Sequence, residues 1–349
     1  MCERTPARGR LQCRTSLPRN QHLSLFGSGR KLEISCGALS AYVVAVSSTG
    51  RPMSRITLAF IVAYLALAAK AGAQTNAPIV NGGFPLVSPS APRILFESNR
   101  TGKNQLWIIS ADGTGERQLT NRDTDVDGAQ WAADGKSIIY SVLVRDTSWL
   151  YELWPDSSRE RPIGSYPGRA PHLSPARDQV LYDVGPWTAS HLVLADANGR
   201  SPRQVTGDSI TVWSGMWSPN GRLIAFTVSR PSGMSVWVMN ADGSRPHQVT
   251  HLTPEEGRAQ VPAWHPDSHQ LTFQSNAASP KGKSTLWIVD LSTTGAMELG
   301  PHRAVYLDET PSWFSDGQRL AFQSNRTGRM EIWTINADGS DLRQLTGRH

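Results

Sequence analysis

At 349 residues with a 39% hydrophobic share, the chain is long enough to bury a large core. Its formal charge of +6 is uneven: residues 1–73 hold 10 of the 35 basic and 2 of the 29 acidic residues, so the remainder, with 25 basic and 27 acidic, excludes a basic nucleic-acid stripe. All three cysteines (Cys2, Cys13 and Cys36) also precede residue 74, which excludes a disulfide, a thiolate nucleophile or a cysteine-zinc site from the rest.

In chain order, residues 1–52 form a basic extension without repeat character, expected to be disordered or to precede the true start at Met53. Residues 53–73 read as a signal peptide. Arg51 and Arg55 flank Met53, the apolar run 56–69 follows, and Ala71-Gly72-Ala73 supplies the small residues a signal peptidase prefers, with Gln74 as the mature start. The run is short for a membrane span, so no stable insertion is expected after cleavage, and the location is periplasmic or secreted. Residues 74–84 read as a linker.

From residue 85 to 349 the chain is a repeat. The last of six copies, each roughly 45 residues long, is the cleanest: Pro311-Ser312-Trp313, Asp316-Gly317, Leu320-Ala321-Phe322, Ile332-Trp333, Asp338-Gly339 and Leu345-Thr346. The fourth repeats it with Trp217, Asn220-Gly221, Ile224-Ala225-Phe226, Trp237, Asp242-Gly243 and Val249-Thr250. Short apolar runs bounded by Asp-Gly or Asn-Gly predict four strands per copy joined by tight hairpins. One four-stranded sheet cannot bury both faces, whereas six packed radially can. The predicted class is all-β, a six-bladed propeller of four-stranded blades built from contiguous sequence and held at its closing seam by packing alone.

Pro-x-Trp-Ser-Pro-Asp-Gly, Ile-Ala-Phe-x-Ser, Ile-Trp-x-x-x-x-Asp-Gly and Arg-x-Leu-Thr together resemble the WD40-like repeat of TolB-type bacterial β-propellers, over about three quarters of the chain. The resemblance implies a protein-binding propeller. TolB itself carries a preceding α/β domain. Only about a dozen residues separate Gln74 from the first copy here, so a role in the Tol system does not transfer.

Strand order places the tight Asp-Gly turns on one face and the long loops and inter-blade links on the other, where function is expected to concentrate. Eight tryptophans fill repeat slots and are expected in the core. Trp154 is expected in inter-blade packing. Trp149 and Trp187 are placed in loops and Trp213 in a link, as an aromatic patch. Asp125, Asp127, Glu256 and Glu309 join them on that face, with Arg169 and His302. These nine residues are the candidate ligand or partner site.

Asp123-x-Asp125-x-Asp127-Gly128 copies half of a calcium loop, but its flanks read as strands and its twelfth position, Asp134, belongs to a hairpin. His265 and His269 fall across a turn and are expected as loop contacts. The sequence contains no Gly-x-Ser-x-Gly, His-Glu-x-x-His or phosphate-loop motif. The expected function is a non-catalytic protein- or peptide-binding module, monomeric, without cofactor or metal and without nucleic acid. The alternative is a carbohydrate-active propeller, an oligosaccharide lyase or glycan binder using the loop-face funnel.

Overall fold

The computed structural model describes residues 82–347 except 145–146, 167, 187, 232, 252–256, 278–282, 294 and 300–305, together with four short strands within residues 2–34. Those four form two hairpins, Cys2–Arg4 with Leu11–Cys13 and Leu23–Gly27 with Arg30–Ile34. They belong to a unit separate from the one spanning Pro78–His349. The signal-peptide segment and Met53 lie outside the described residues.

The larger unit contains six four-stranded antiparallel sheets, each with its strands paired in chain order. We label the strands a to d in each blade. The innermost strands a are Gly83–Val87, Asp127–Trp131, Arg169–Leu173, Thr211–Trp217, Ala259–Trp264 and Asp308–Trp313. Each packs against the next around the ring, and the last packs against the first. The expected propeller of contiguous blades is therefore what forms. Its core is six apolar layers between sheets, such as Val236, Val238, Trp264, Leu271 and Phe273 between blades 4 and 5.

The repeat motifs have local physical causes. Strand d is only two residues long in blades 1, 3, 4 and 6, for example Arg343–Gln344. The threonine that follows continues the ladder with its side chain: the hydroxyls of Thr120, Thr206, Thr250 and Thr346 each accept a strand-c N–H at 2.9 Å. The a–b turns need a left-handed residue, and Gly135, Gly221 and Gly317 supply it at φ of 65°, 71° and 65°.

Every strand a is bulged at the same place. The first bulge residue has positive φ in all six blades: Phe84 (50°), Gly128 (60°), Ala170 (44°), Ser214 (56°), Val261 (51°) and Thr310 (50°). In four blades the next residue is the motif proline, Pro85, Pro171, Pro262 or Pro311, which sits where no ladder N–H is required. The left-handed conformation recurs sixfold, strained in the five residues other than Gly128, so it belongs to the architecture.

The repeat tryptophans are less buried than expected. Trp264 and Trp313 are buried at 7% exposure, while Trp107, Trp131, Trp217, Trp237, Trp287 and Trp333 are half-buried. Their amphipathic rings explain this. The indole N–H groups of Trp131, Trp217 and Trp264 donate to carbonyls of the preceding blade at 2.8, 3.4 and 3.2 Å. Arg100 and Arg230 lie over Trp107 and Trp237, at 4.5 and 4.8 Å from the ring centres.

The closing seam corrects the expectation of packing alone. Among the described residues three hydrogen bonds cross between blade 1 and blade 6: Gly82 N to Met330 O at 3.2 Å, Phe84 N to Gln323 Oε1 at 3.0 Å and Val87 N to Ser312 Oγ at 2.9 Å. The bulge turns the Phe84 N–H out of its own ladder and toward the neighbouring blade.

Candidate functional site at the loop-face mouth of the channel

The starts of the a strands, the ends of the b strands and the starts of the c strands meet on the loop face. At one register position near the end of strand b, all six blades carry a buried polar residue: Glu97, Ser141, Asp183, Thr227, Gln274 and Gln323. Three of them clasp the next blade at its bulge. Thr227 accepts from Val261 N at 3.1 Å, Gln274 from Thr310 N at 2.9 Å, and Gln323 from Phe84 N at 3.0 Å. Neutral acceptors thus tie blades 4, 5, 6 and 1.

Blades 1 and 3 depart from this pattern by placing acids there. Across the seam from Glu97, the corresponding N–H is that of Gly128, and the Asp127 carboxylate takes it at 2.8 Å. Glu97 instead accepts from Asn104 Nδ2 at 2.6 Å. Asn104 also donates from that nitrogen to Val126 O at 2.9 Å and from its backbone N to Asp125 at 2.7 Å, tying Glu97 and Asp125 into one group. Asp183, only 4% exposed, accepts no side-chain hydrogen bond among the described residues. It pairs in register with Arg169, whose guanidinium donates to Gly185 O at 2.7 Å and Ser190 Oγ at 3.4 Å.

Burial dominates the protonation of this group. Burial, then the negative charge of Asp127, push Glu97 up to about 8 against the Asn104 hydrogen bond. Burial pushes Asp183 up to about 7, with Arg169 opposing and Asp127 adding to the rise. Burial also raises Asp127, although the Gly128 N–H and Arg169 pull the other way; its carboxylate touches water at the mouth while protein surrounds it on most sides. Deeper on strand a of blade 3, burial pushes His172 down to about 4 and keeps it neutral. The mouth over blades 1 to 3 can therefore accept positive charge and hydrogen-bond donors, and it holds protons that a cationic ligand would displace.

Of the nine predicted site residues, Asp125, Asp127 and Arg169 come together here. Trp213 lies on the adjoining strand. It is not in a link but inside strand a of blade 4, half-buried and paired with Thr227. Trp149 is likewise not in a loop: it sits in strand c of blade 2, Thr147–Trp154, between Val142 and Ser165, and is 45% exposed. Both moved because the hairpins of blades 2 and 4 extend farther than the loop reading allowed. Glu309 is on the opposite side of the mouth, in strand a of blade 6, where Ser284 Oγ and Gln323 Nε2 donate to it at 3.3 and 3.1 Å. Trp187, Glu256 and His302 lie outside the described residues.

His265 packs edge-on against Trp313, with ring centres 4.6 Å apart, and His269 turns back to the Asp267 carbonyl at 2.7 Å; both are loop contacts, as expected. Glu97 and Asp183 were missed by sequence reasoning. Aligning the six copies would have found them, since the other four blades carry Ser, Thr or Gln there.

The ring and its WD40-like repeat define the class, a six-bladed β-propeller. Within that class the propeller is TolB-like: the family model described as the TolB β-propeller domain matches residues 188–349. TolB from Acinetobacter baumannii superimposes with a TM-score of 0.59 at 19% identity, covering 86% of this chain and 71% of that one. An oligogalacturonate lyase in complex with manganese gives 0.52 at 14% identity, covering 76% and 77%. Among curated relatives, dipeptidyl-peptidase 5 of Porphyromonas endodontalis is 26% identical over 140 residues, 37% of this chain. The chain spans about a fifth of that relative's length, the matched segment being 19% of it.

Proposed function

We propose that the propeller is a non-catalytic protein- or peptide-binding module that takes a positively charged peptide segment at the loop-face mouth, acting as a monomer in the periplasm or outside the cell. The observation that carries this reading is the exchange of neutral clasp residues for the buried acids Glu97 and Asp183 in two of six otherwise equivalent blades. A buried carboxylate without a full set of donors destabilises a fold. Its presence where a glutamine or threonine serves elsewhere in the same molecule is explained by a ligand that supplies the missing donors. Similarity to part of a dipeptidyl-peptidase is in keeping with peptide handling. The glycan alternative has less support, because an acidic sugar such as a galacturonate would bring a further carboxylate into a mouth where burial and the crowding of acids already keep protons on Glu97 and Asp183. Export rests on the apolar run 56–69 and Ala71-Gly72-Ala73.

The test is a thermal-shift and calorimetric titration with lysine-containing and lysine-free hexapeptides, on wild type and Asp183→Asn. Lysine peptides should raise the melting midpoint of the wild type. Asp183→Asn should bind them at least roughly tenfold more weakly and yet melt higher without ligand, the signature of a residue kept for function at the expense of stability. Equal affinity in both proteins would overturn the reading.

A further inference from the structure

A cleft of about 120 Å³ opens on the loop face between blades 5 and 6, across the channel from the acidic sector. It is a built feature. The cross-strand pair Gln260 and Gln274 forms one wall. Strand a of blade 6 forms the other, joined at its outer end where Ser284 O accepts from Asp308 N at 3.0 Å.

Its lining is rich in donors. Gln274 is 5% exposed, and its Oε1 is committed to Thr310 N at 2.9 Å. A backbone N–H can only donate, so this bond fixes the amide and turns its NH₂ away from the clasp. Among the described residues that NH₂ has no acceptor, and Gln274 lines the cleft. Arg258 and Lys283 line it as well, and among the described residues neither pairs with a carboxylate. Among the described residues the one acid in the lining, Glu309, is already served by Ser284 and Gln323. Among the described residues, two cations against one carboxylate leave a single positive charge beside an amide donor that opens onto the cleft.

We infer that this cleft is a second binding site, one that takes the carboxylate of a peptide ligand. The volume is several times the roughly 30 Å³ share of one water molecule, enough for a carboxylate and its first carbons. A planar monoanion suits a guanidinium and an amide, which present donors in a plane, and it matches the surplus of one charge. A phosphate dianion would keep one charge unpaired beside Glu309. This inference rests on the peptide-binding reading and adds a polarity to it: positive groups over blades 1 to 3, a carboxylate at blades 5 and 6.

The test is a heteronuclear NMR titration of the full chain with three N-acetylated tripeptides: Gly-Gly-Ala with a free C-terminus, Gly-Glu-Gly amide and Gly-Gln-Gly amide. The first two separate a terminal from a side-chain carboxylate, and the third is the neutral control. At least one acid probe should bind tenfold or more tightly than the control, with shifts at the Gln274 side-chain amide. The double variant Arg258→Gln, Lys283→Gln should lose at least tenfold. Glu309→Gln should gain about threefold or more, because it removes a like charge from the wall. Equal binding of the control, loss of affinity in Glu309→Gln, or tighter binding of inorganic phosphate than of both acid probes would each overturn the site. Failure here leaves the Asp183→Asn result standing, since that experiment probes the opposite side of the mouth.

Discussion

Two arcs of the same ring solve one structural problem differently. In blades 4, 5 and 6, a neutral side chain on strand b reaches across each seam to the N–H that the next bulge has turned outward. In blades 1 and 3 the same position carries Glu97 and Asp183, and at the first of these seams Asp127 serves the N–H instead. Because the blades are near copies, each is an internal control for the others. The comparison separates what four of the six bulges use, a polar acceptor for the outward N–H, from what the propeller tolerates for another reason, a buried acid.

The sharpest way to break the comparison is to make matching changes in the two arcs. Gln323→Leu removes the acceptor of Phe84 N and a donor to Glu309 at the closing seam. An N–H left without its partner costs up to about 1–3 kcal/mol, so the midpoint should fall by roughly 2–10 °C for a domain of this size. Glu97→Gln, at the equivalent position, should act in the opposite direction. At pH 9 the folded protein must carry a buried Glu97 charge, and the amide relieves that cost, so the midpoint should rise. Thermal melts of both variants at pH 9 check the pair. Destabilisation by both changes would show that the two arcs are held in the same way.

The second prediction uses pH. Glu97 and Asp183 have folded values raised above their unfolded ones, so their contribution to stability is present below about pH 4 and is lost as pH rises through about 7 and 8. Glu152, on strand c of blade 2, behaves oppositely. Burial raises it, but hydrogen bonds from Arg177, Ser137 and Arg161 outweigh that and hold it down at about 2. Its contribution is present above its unfolded value of 4.5 and disappears as pH falls toward 2. Stability should therefore peak in mildly acidic solution and decline on both sides. In the double variant Glu97→Gln, Asp183→Asn the alkaline decline should flatten and the acid limb should stay. An unchanged alkaline limb would mean that the two acids are solvated in solution.

Much of this was legible in the sequence, and the boundary has physical causes. The turn residues Asp-Gly and Asn-Gly and the proline of Pro-x-Trp are dictated by backbone geometry, so they recur and reveal the blades. The first residue of the bulge leaves no such mark, because Phe84, Ala170, Ser214, Val261 and Thr310 share only a conformation. Glu97 in Phe96-Glu97-Ser98 and Asp183 in Tyr182-Asp183-Val184 look like ordinary polar positions of alternating strands. Only burial by the neighbouring blade, a contact between residues far apart in sequence, makes them unusual. Trp149 and Trp213 were misplaced for the converse reason: their strands run on past the repeat length, and an aromatic residue near a strand end does not announce which side of the boundary it occupies.

Those two tryptophans give the smallest and most discriminating prediction. Trp213 is on the innermost strand, next to the seam that Asp183 faces. Trp149 is on the third strand of blade 2, two strand spacings or roughly 10 Å farther from the axis. A peptide held at the channel mouth touches the first and passes short of the second. Trp213→Ala should weaken the lysine peptides by about 2 kcal/mol, the range of a central aromatic contact, and should lower the midpoint as well because the ring is half-buried. Trp149→Ala should change affinity less than about twofold and stability by less than about 1 kcal/mol, since an exposed strand residue contributes mainly through its cross-strand neighbours Val142 and Ser165. Calorimetry on both variants with the same peptide decides between a mouth and a wider aromatic patch. If Trp149→Ala costs as much binding as Trp213→Ala, the ligand must run outward over blade 2, and the asymmetry between the two arcs would extend across the face rather than end at the channel.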